Sequence, residues 1–200
     1  MGVAEPAILG VVLAGGLARR MGGGDKTLLP LNGRPMLSIL LERLAPQVSA
    51  ISISANGDGA RFGAVAPGVP VLADPLPGFP GPLAGILAGM DHAARLGLCW
   101  VLSVPGDTPL IPPDLAARLR AASSPIACAA SAGRTHPPIA LWPVGLREEL
   151  RAAITAGEGK VSRWAMAQGC APVEWPGDPF INANRPEDLP LLERAEREGA

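Results

Sequence analysis

Ile8 to Leu13 is a short, unbroken apolar run rich in β-branched side chains and followed by Gly15 and Gly16. No polar position interrupts it, so it predicts a strand covered on both faces rather than one with a wet side. Runs of the same kind recur at residues 50–54, 69–72, 99–104 and 126–130. Between them, apolar positions repeat every three or four residues across 36–44, 83–96 and 115–121, the spacing of one face of a helix. After the apolar stretch 139–142, a helix is expected from near Val144 to Ala156, another over 162–168, and a last one opened by Pro186 and reaching Glu198. Proline suits the first turn of a helix because the N–H it lacks would be unpaired there anyway.

Strands alternating with helices predict βαβ units. The fold class is therefore α/β: a three-layer α/β/α, Rossmann-like domain with a mostly parallel central sheet. The 25 glycines and 23 prolines fall mainly at element ends, and neither an internal repeat nor a long linker divides the chain, so residues 1–200 read as a single domain.

Composition narrows the class of function. Apolar residues make up 48% of the chain, enough for a real core, while 17 Lys plus Arg stand against 18 Asp plus Glu in scattered order. Without a basic stripe, neither nucleic acid nor an acidic membrane is an expected partner. The longest apolar runs, 7–14 and 96–104, fall well short of the roughly 20 residues of a membrane span, and the N-terminus lacks a basic leader, so a cytoplasmic protein is expected. Three widely spaced cysteines and two histidines argue against a disulfide framework or a structural zinc site. Cys99 and Trp100, lying in an apolar strand, are expected to be core. Only two of the 17 basic residues are lysines, Lys26 and Lys160, which makes their positions worth weighing.

In an open α/β sheet, ligands bind beyond the carboxyl ends of the strands. The first apolar run is followed there by Ala14-Gly15-Gly16-Leu17-Ala18-Arg19-Arg20-Met21-Gly22-Gly23-Gly24-Asp25-Lys26, a later one by Ala73-Asp74, and another by Pro105-Gly106-Asp107. The glycine-rich segment is not a P-loop, because Asp25 stands where glycine must precede the lysine. Nor is it a dinucleotide fingerprint, because Gly22 and Gly24 are followed by Thr27 at the third glycine's place. From the glycines alone, a loop cradling phosphates and a flexible packing turn both remain open.

The residues do carry a family resemblance. Leu13-Ala14-Gly15-Gly16, Arg20-Met21-Gly22 and Asp25-Lys26 resemble the signature of nucleotidyltransferases. The match continues through Asn32-Gly33-Arg34-Pro35-Met36, Gly81-Pro82-Leu83-Ala84-Gly85, Gly106-Asp107-Thr108-Pro109, His136-Pro137-Pro138-Ile139-Ala140-Leu141 and Phe180-Ile181-Asn182-Ala183-Asn184. This ordered set spans nearly the whole chain and resembles the molybdenum cofactor guanylyltransferase family in particular.

The resemblance implies transfer of GMP from GTP to the molybdopterin form of molybdenum cofactor, releasing pyrophosphate, with Mg²⁺ as cofactor. It implies Lys26, Asp107 and Arg20 as catalytic residues. Leu13, Ala14, Gly15, Gly16, Lys26, Ser54, Asp74 and Asp107 would bind GTP, Asp107 would bind the metal, and Asn182 and Asn184 would face molybdopterin. It also implies transient contact with molybdopterin-handling proteins or molybdoenzyme chaperones.

Several readings stay open beside it. Lys26 could be a solvated lysine, and Asp74 and Asp107 ordinary turn aspartates. Ser54 stands where relatives often carry asparagine, so either it or Asn56 is the nucleotide contact. Asp25 is expected to order its loop through backbone bonds or to pair with an arginine. Arg185 departs from the family's usual threonine. His136 reads equally as a surface imidazole or a pterin contact, and Lys160 as a phosphate contact or a solvent-facing side chain. A cytidylyltransferase using CTP and a catalytically silent nucleotide-binding module are the competing functions. The resemblance favours guanine, because cytidylyltransferase relatives tend to carry Ala-Ala-Gly where this chain has Ala14-Gly15-Gly16, and a second glycine leaves room for the larger purine at the backbone.

Overall fold

The computed structural model describes residues 7–15, 25–78, 81–122, 124–184 and 186–198. The glycine-rich stretch 16–24, with Gly16 and Arg20, and residue Arg185 lie outside these. In chain order the elements are β1 (Ile8–Leu13), β2 (Pro30–Leu31), β3 (Arg34–Pro35), α1 (Met36–Leu44), β4 (Ala50–Ser54), β5 (Val71–Leu72), α2 (Pro82–Arg95) and β6 (Trp100–Pro105). They continue with α3 (Leu115–Arg120), β7 (Ala127–Ser131), β8 (Arg134–Pro143), α4 (Arg147–Thr155), α5 (Val161–Ala167), β9 (Ala171–Trp175) and α6 (Leu189–Glu198). Helix α1 covers the residues its periodicity predicts, and α2 to α6 fall within a few residues of expectation. Single 3₁₀ turns at Val144–Leu146 and Pro186–Asp188 precede α4 and α6.

Seven strands form one sheet in the order β5-β4-β1-β6-β8-β7-β9. The β1–β4, β1–β6, β4–β5 and β7–β9 pairings are parallel, and only β8 runs against its neighbours. The sheet is therefore mostly parallel, with helices on both faces, as the alternating pattern predicts. Strand β1 shows why its run is apolar throughout. Ile8 and Val12 pack with Leu37, Leu40 and Leu44 of α1 on one face, while Leu9 and Val11 pack with Ile86, Leu87 and Met90 of α2 on the other. Where the helices come closest there is no room for a side chain: a Cβ on Gly89 would lie 2.5 Å from Val11 Cγ2, and one on Gly10 2.9 Å from Leu44 Cδ2.

Three features differ from expectation. The 69–72 run forms strand only at Val71 and Leu72; residues 69–70 are irregular, although the Pro70 carbonyl already accepts the Ile53 N–H of β4 at 2.9 Å. Cys99 is exposed rather than core, since the strand begins one residue later and Cys99 spends its N–H on Ala7 O, 3.0 Å away, at the open end of the sheet. Trp100 is only half-buried, its outer face covered by the Arg120 guanidinium 4.4 Å from the ring centroid. The strands β2, β3 and β9 carry no apolar run to announce them. Asn32 (φ 46°) and Gly33 (φ 79°) close the β2–β3 hairpin, both with the positive φ that a two-residue turn of matching twist requires.

Candidate active site

Strands β4 and β6 lie on opposite sides of β1, so the chain reverses direction across the sheet there, leaving a crevice beyond the carboxyl ends of all three. The crevice is a cavity of about 470 Å³ whose walls include Leu13, Ala14, Gly15, Lys26, Ser54, Asp74, Asp107 and Asn182. With Asn56, the alternative to Ser54, nine of the residues singled out from sequence thus line one cavity, although they come from positions 13 to 182. Backbone bonds hold its rim: Ala14 N–H donates to Ser54 O at 2.9 Å, Gly106 N–H to Leu13 O at 3.0 Å, and Ala55 N–H to Leu72 O at 2.9 Å.

Among the described residues that line the cavity, Lys26 is the cation. A 3₁₀ turn, Lys26–Leu28, opens behind Asp25, whose Oδ1 accepts from Thr27 N at 3.1 Å and Thr27 Oγ1 at 2.7 Å. Asp25 Oδ2 accepts from Arg61 Nε at 3.0 Å. Asp25 therefore does both things expected of it, capping its own turn and pairing with an arginine. The turn aims Lys26 Nζ at Asp107 Oδ2, 2.6 Å away, and at Asn184 Oδ1, 2.7 Å away. Asp107 follows β6 directly, and Gly106 before it cannot carry a side chain, because a Cβ would meet Thr27 Cγ2 at 2.3 Å. That close approach seats the Asp25–Thr27 turn against the end of β6.

The segment after Phe180 closes over this pair. Ala183 N–H donates to Asp107 O at 2.9 Å, and buried Thr108 donates through Oγ1 to Asn182 Oδ1 at 3.0 Å. Asn182 lines the cavity; Asn184 does not, but reaches Lys26 from the exposed rim. At the opposite end, Asn56 Nδ2 donates to Asp74 Oδ2 at 2.6 Å, and Asp74 N–H returns a bond to Asn56 Oδ1 at 3.0 Å. Ser54 is buried beneath them, with its Oγ 2.6 Å from where a Cβ on Gly85 would stand.

Other candidates fall outside the cavity wall. His136 Nε2 is 2.9 Å from Ser131 Oγ, which in turn donates to Asp178 Oδ1 at 2.8 Å. Burial pushes this imidazole below its ordinary value of 6.5 against the upward pull of Asp178. Lys160 is exposed, with its backbone N–H bonded to Glu158 Oε1 at 2.8 Å. The sequence reading gave no role to Gly81, Pro82, Gly85 or Pro138, all of which line the cavity. The signal for Gly85 was its place, with Gly89 one turn on, as a glycine inside an apolar helix, which marks a close approach. Pro138 is brought in by an irregularity where the β7–β8 register slips between Cys128 and Ala129, something no local pattern shows.

A cationic side chain fixed between a carboxylate and an amide, at the switch point of a parallel sheet, is suited to binding phosphates. The family model of the MobA-like NTP transferase domain matches residues 10–171. The chain belongs to that family. It is 52% identical over 200 residues to the molybdenum cofactor guanylyltransferase of Rhodopseudomonas palustris (strain BisB5), covering 95% of this chain and 94% of that protein. It is 50% identical to the protein of the same name from Bradyrhizobium sp. (strain ORS 278), covering 94% and 92%. Among solved structures, the molybdopterin-guanine dinucleotide biosynthesis protein A of Archaeoglobus fulgidus shares the fold, with a TM-score of 0.74, 22% identity, and 96% and 99% of the two chains covered. The MobA-like match begins within β1 and ends at the start of β9, so it takes in every cavity-lining residue except Asn182.

Proposed function

We propose that this chain is a molybdenum cofactor guanylyltransferase, transferring GMP from GTP to the molybdopterin form of the cofactor and releasing pyrophosphate. Relatives about half identical over nearly their whole length bear that name. The observation that carries the reading to individual residues is Lys26 held between Asp107 and Asn184 at the mouth of a cavity of nucleotide size. Chain 1–200 acts as one domain in this reading, its parts joined by the continuous sheet.

The nucleophile is a phosphate oxygen of molybdopterin, already anionic, so no side chain must take a proton or form a covalent bond. That oxygen bonds to the α-phosphorus of GTP in line with the bridging oxygen, which leaves with pyrophosphate. The protein's work is alignment and charge neutralisation. Lys26 faces the triphosphate beside the backbone of Leu13, Ala14, Gly15 and Gly16, with Arg20 assisting the leaving pyrophosphate. Asp74 and the Ser54 end of β4 take the nucleoside, and Asn182 and Asn184 face molybdopterin.

Mg²⁺ fits the donor set at Asp107. Lys26 occupies Oδ2, which leaves a hard carboxylate oxygen for an ion otherwise ligated by phosphate and water. Among the described residues no group of three or more His, Cys, Asp or Glu could hold a metal ion, so the ion would arrive with the nucleotide. When bound it supplies further neutralisation of phosphate charge. Among the described residues no helix is long and apolar enough to cross a membrane. We place the reaction in the cytoplasm, consistent with three free thiols, with the product passing to molybdopterin-handling proteins or molybdoenzyme chaperones.

The test is pyrophosphate release by the full chain with molybdenum-loaded molybdopterin and either GTP or CTP. Release with GTP well above CTP is expected. Release with CTP at an equal or higher rate overturns the guanylyl assignment, and thermal stabilisation by GTP without release points to a silent module.

A further inference from the structure

Two polar side chains stand at the carboxyl end of β4, Ser54 within the strand and Asn56 just past it, and they do different work. Ser54 is 4% exposed, turned under α2 toward Gly85, and its carbonyl accepts the Ala14 N–H. It belongs to the floor of the crevice. Asn56, two residues on, is exposed on the cavity wall and grips Asp74 at two points: Nδ2 to the carboxylate, and Oδ1 from the backbone N–H.

We infer that Asn56 is a positioning residue that presents the Asp74 carboxylate to the nucleoside, and this rests on the nucleotide reading of the crevice. The two bonds fix both the Asp74 side chain and the segment that carries it, so a bound ligand need not order them. Asn56 bonds Oδ2 of Asp74 and makes no bond to its Oδ1, so the carboxylate of this cavity-lining residue keeps acceptor sites for a ligand. The partner is also neutral. Asp25, Asp91, Asp107 and Asp178 are each ion-paired with Lys or Arg, whereas among the described residues Asp74 makes no ion pair. An arginine at position 56 would hold Asp74 as firmly but cancel its charge; an amide holds it and leaves the charge for the ligand. A fixed anionic acceptor suits a ligand with adjacent donors, which a guanine edge (N1–H and N2–H₂) and a ribose diol both offer.

The experiment is calorimetric titration of GTP into the full chain and its variants, with thermal unfolding of each. Asn56→Ala is expected to weaken GTP about tenfold through loss of a charge-assisted bond and its partner, with KM for GTP rising more than kcat falls. Asn56→Asp is expected to bind more weakly still, since two carboxylates then face each other. The exchange Asn56→Asp with Asp74→Asn rebuilds an amide–carboxylate pair, so thermal stability returns while GTP binding does not, because the charge has moved. Inosine triphosphate and 2′-deoxy-GTP identify the donors: the analogue lacking the group that Asp74 meets shows the smaller penalty from Asn56→Ala. Unaltered GTP binding by Asn56→Ala overturns the inference, as does full recovery in the exchanged pair. If the unaltered chain fails to bind GTP, the nucleotide reading falls and takes this inference with it.

Discussion

Gly85→Ala tests whether the crevice floor is built by direct contact of α2 with β4. A Cβ at this position would stand 2.6 Å from Ser54 Oγ, 3.0 Å from Leu13 Cδ2 and 3.3 Å from Ser54 Cβ. Ordinary contact is near 3.4 Å or beyond, so helix and strand would have to part by several tenths of an ångström at the Ser54 hydroxyl. Overpacking of this kind costs about 1–3 kcal/mol. Alanine regains about 1 kcal/mol over glycine in a helix interior, which leaves a net loss of about 0–2 kcal/mol. Ser54→Ala removes the 2.6 Å contact and leaves only the leucine methyl and a Cβ at 3.3 Å. In that background Gly85→Ala should be neutral or stabilising by up to about 1 kcal/mol. The cycle is measured by urea unfolding followed through fluorescence of the four tryptophans. A coupling of about 1 kcal/mol or more is expected; additivity within about 0.5 kcal/mol would show that the two residues do not press on each other.

Three other outcomes are expected. Asp107→Asn should cut pyrophosphate release by about a hundredfold or more while changing GTP titration less, and near-normal release would remove Asp107 from the chemistry. Arg61→Ala deprives Asp25 Oδ2 of its partner at 3.0 Å, in a pair with the carboxylate 8% exposed, and should lower stability by about 1–2 kcal/mol in urea unfolding, with Arg61→Lys losing less. An unchanged urea midpoint would show that the pair does not anchor the Lys26 turn. Burial pushes His92 and His136 below 6.5, so in acid the unfolded chain takes up protons that the native imidazoles resist. Stability is therefore complete above 6.5 and declines as pH falls through it. Thermal unfolding between pH 7.5 and 5.5 should show the decline, and His92→Gln with His136→Gln should flatten it.

The strands and helices that build the sheet's centre were legible because each is specified by its own residues. A run such as Ile8 to Leu13 must be buried on both faces to satisfy its side chains, and the spacing of 36–44 makes one face of a helix whatever lies opposite. Strand β9, at the edge, and strand β8, between β6 and β7, were harder to read. Strand β9 alternates half-buried and exposed positions and contains Pro172, a residue tolerated where one side of the ladder is free. Strand β8 carries Pro137 and Pro138, and its antiparallel course follows from its neighbours rather than from its composition.

The same division holds in the crevice. The sequence by itself determined which residue types stand at the carboxyl ends of the strands: a glycine-rich loop running to Lys26, Asp74 after one strand and Asp107 after another. Only the tertiary structure decided their partners. Lys26 meets Asn184 across 158 positions, Asp25 meets Arg61 across 36, and Asp74 is gripped by Asn56 while Ser54 turns to the floor. Periodicity and propensity act over a few residues, so they fix elements and their ends. Which ends meet depends on the order in which strands join the sheet, and that order is set by burying both faces of β1 at once.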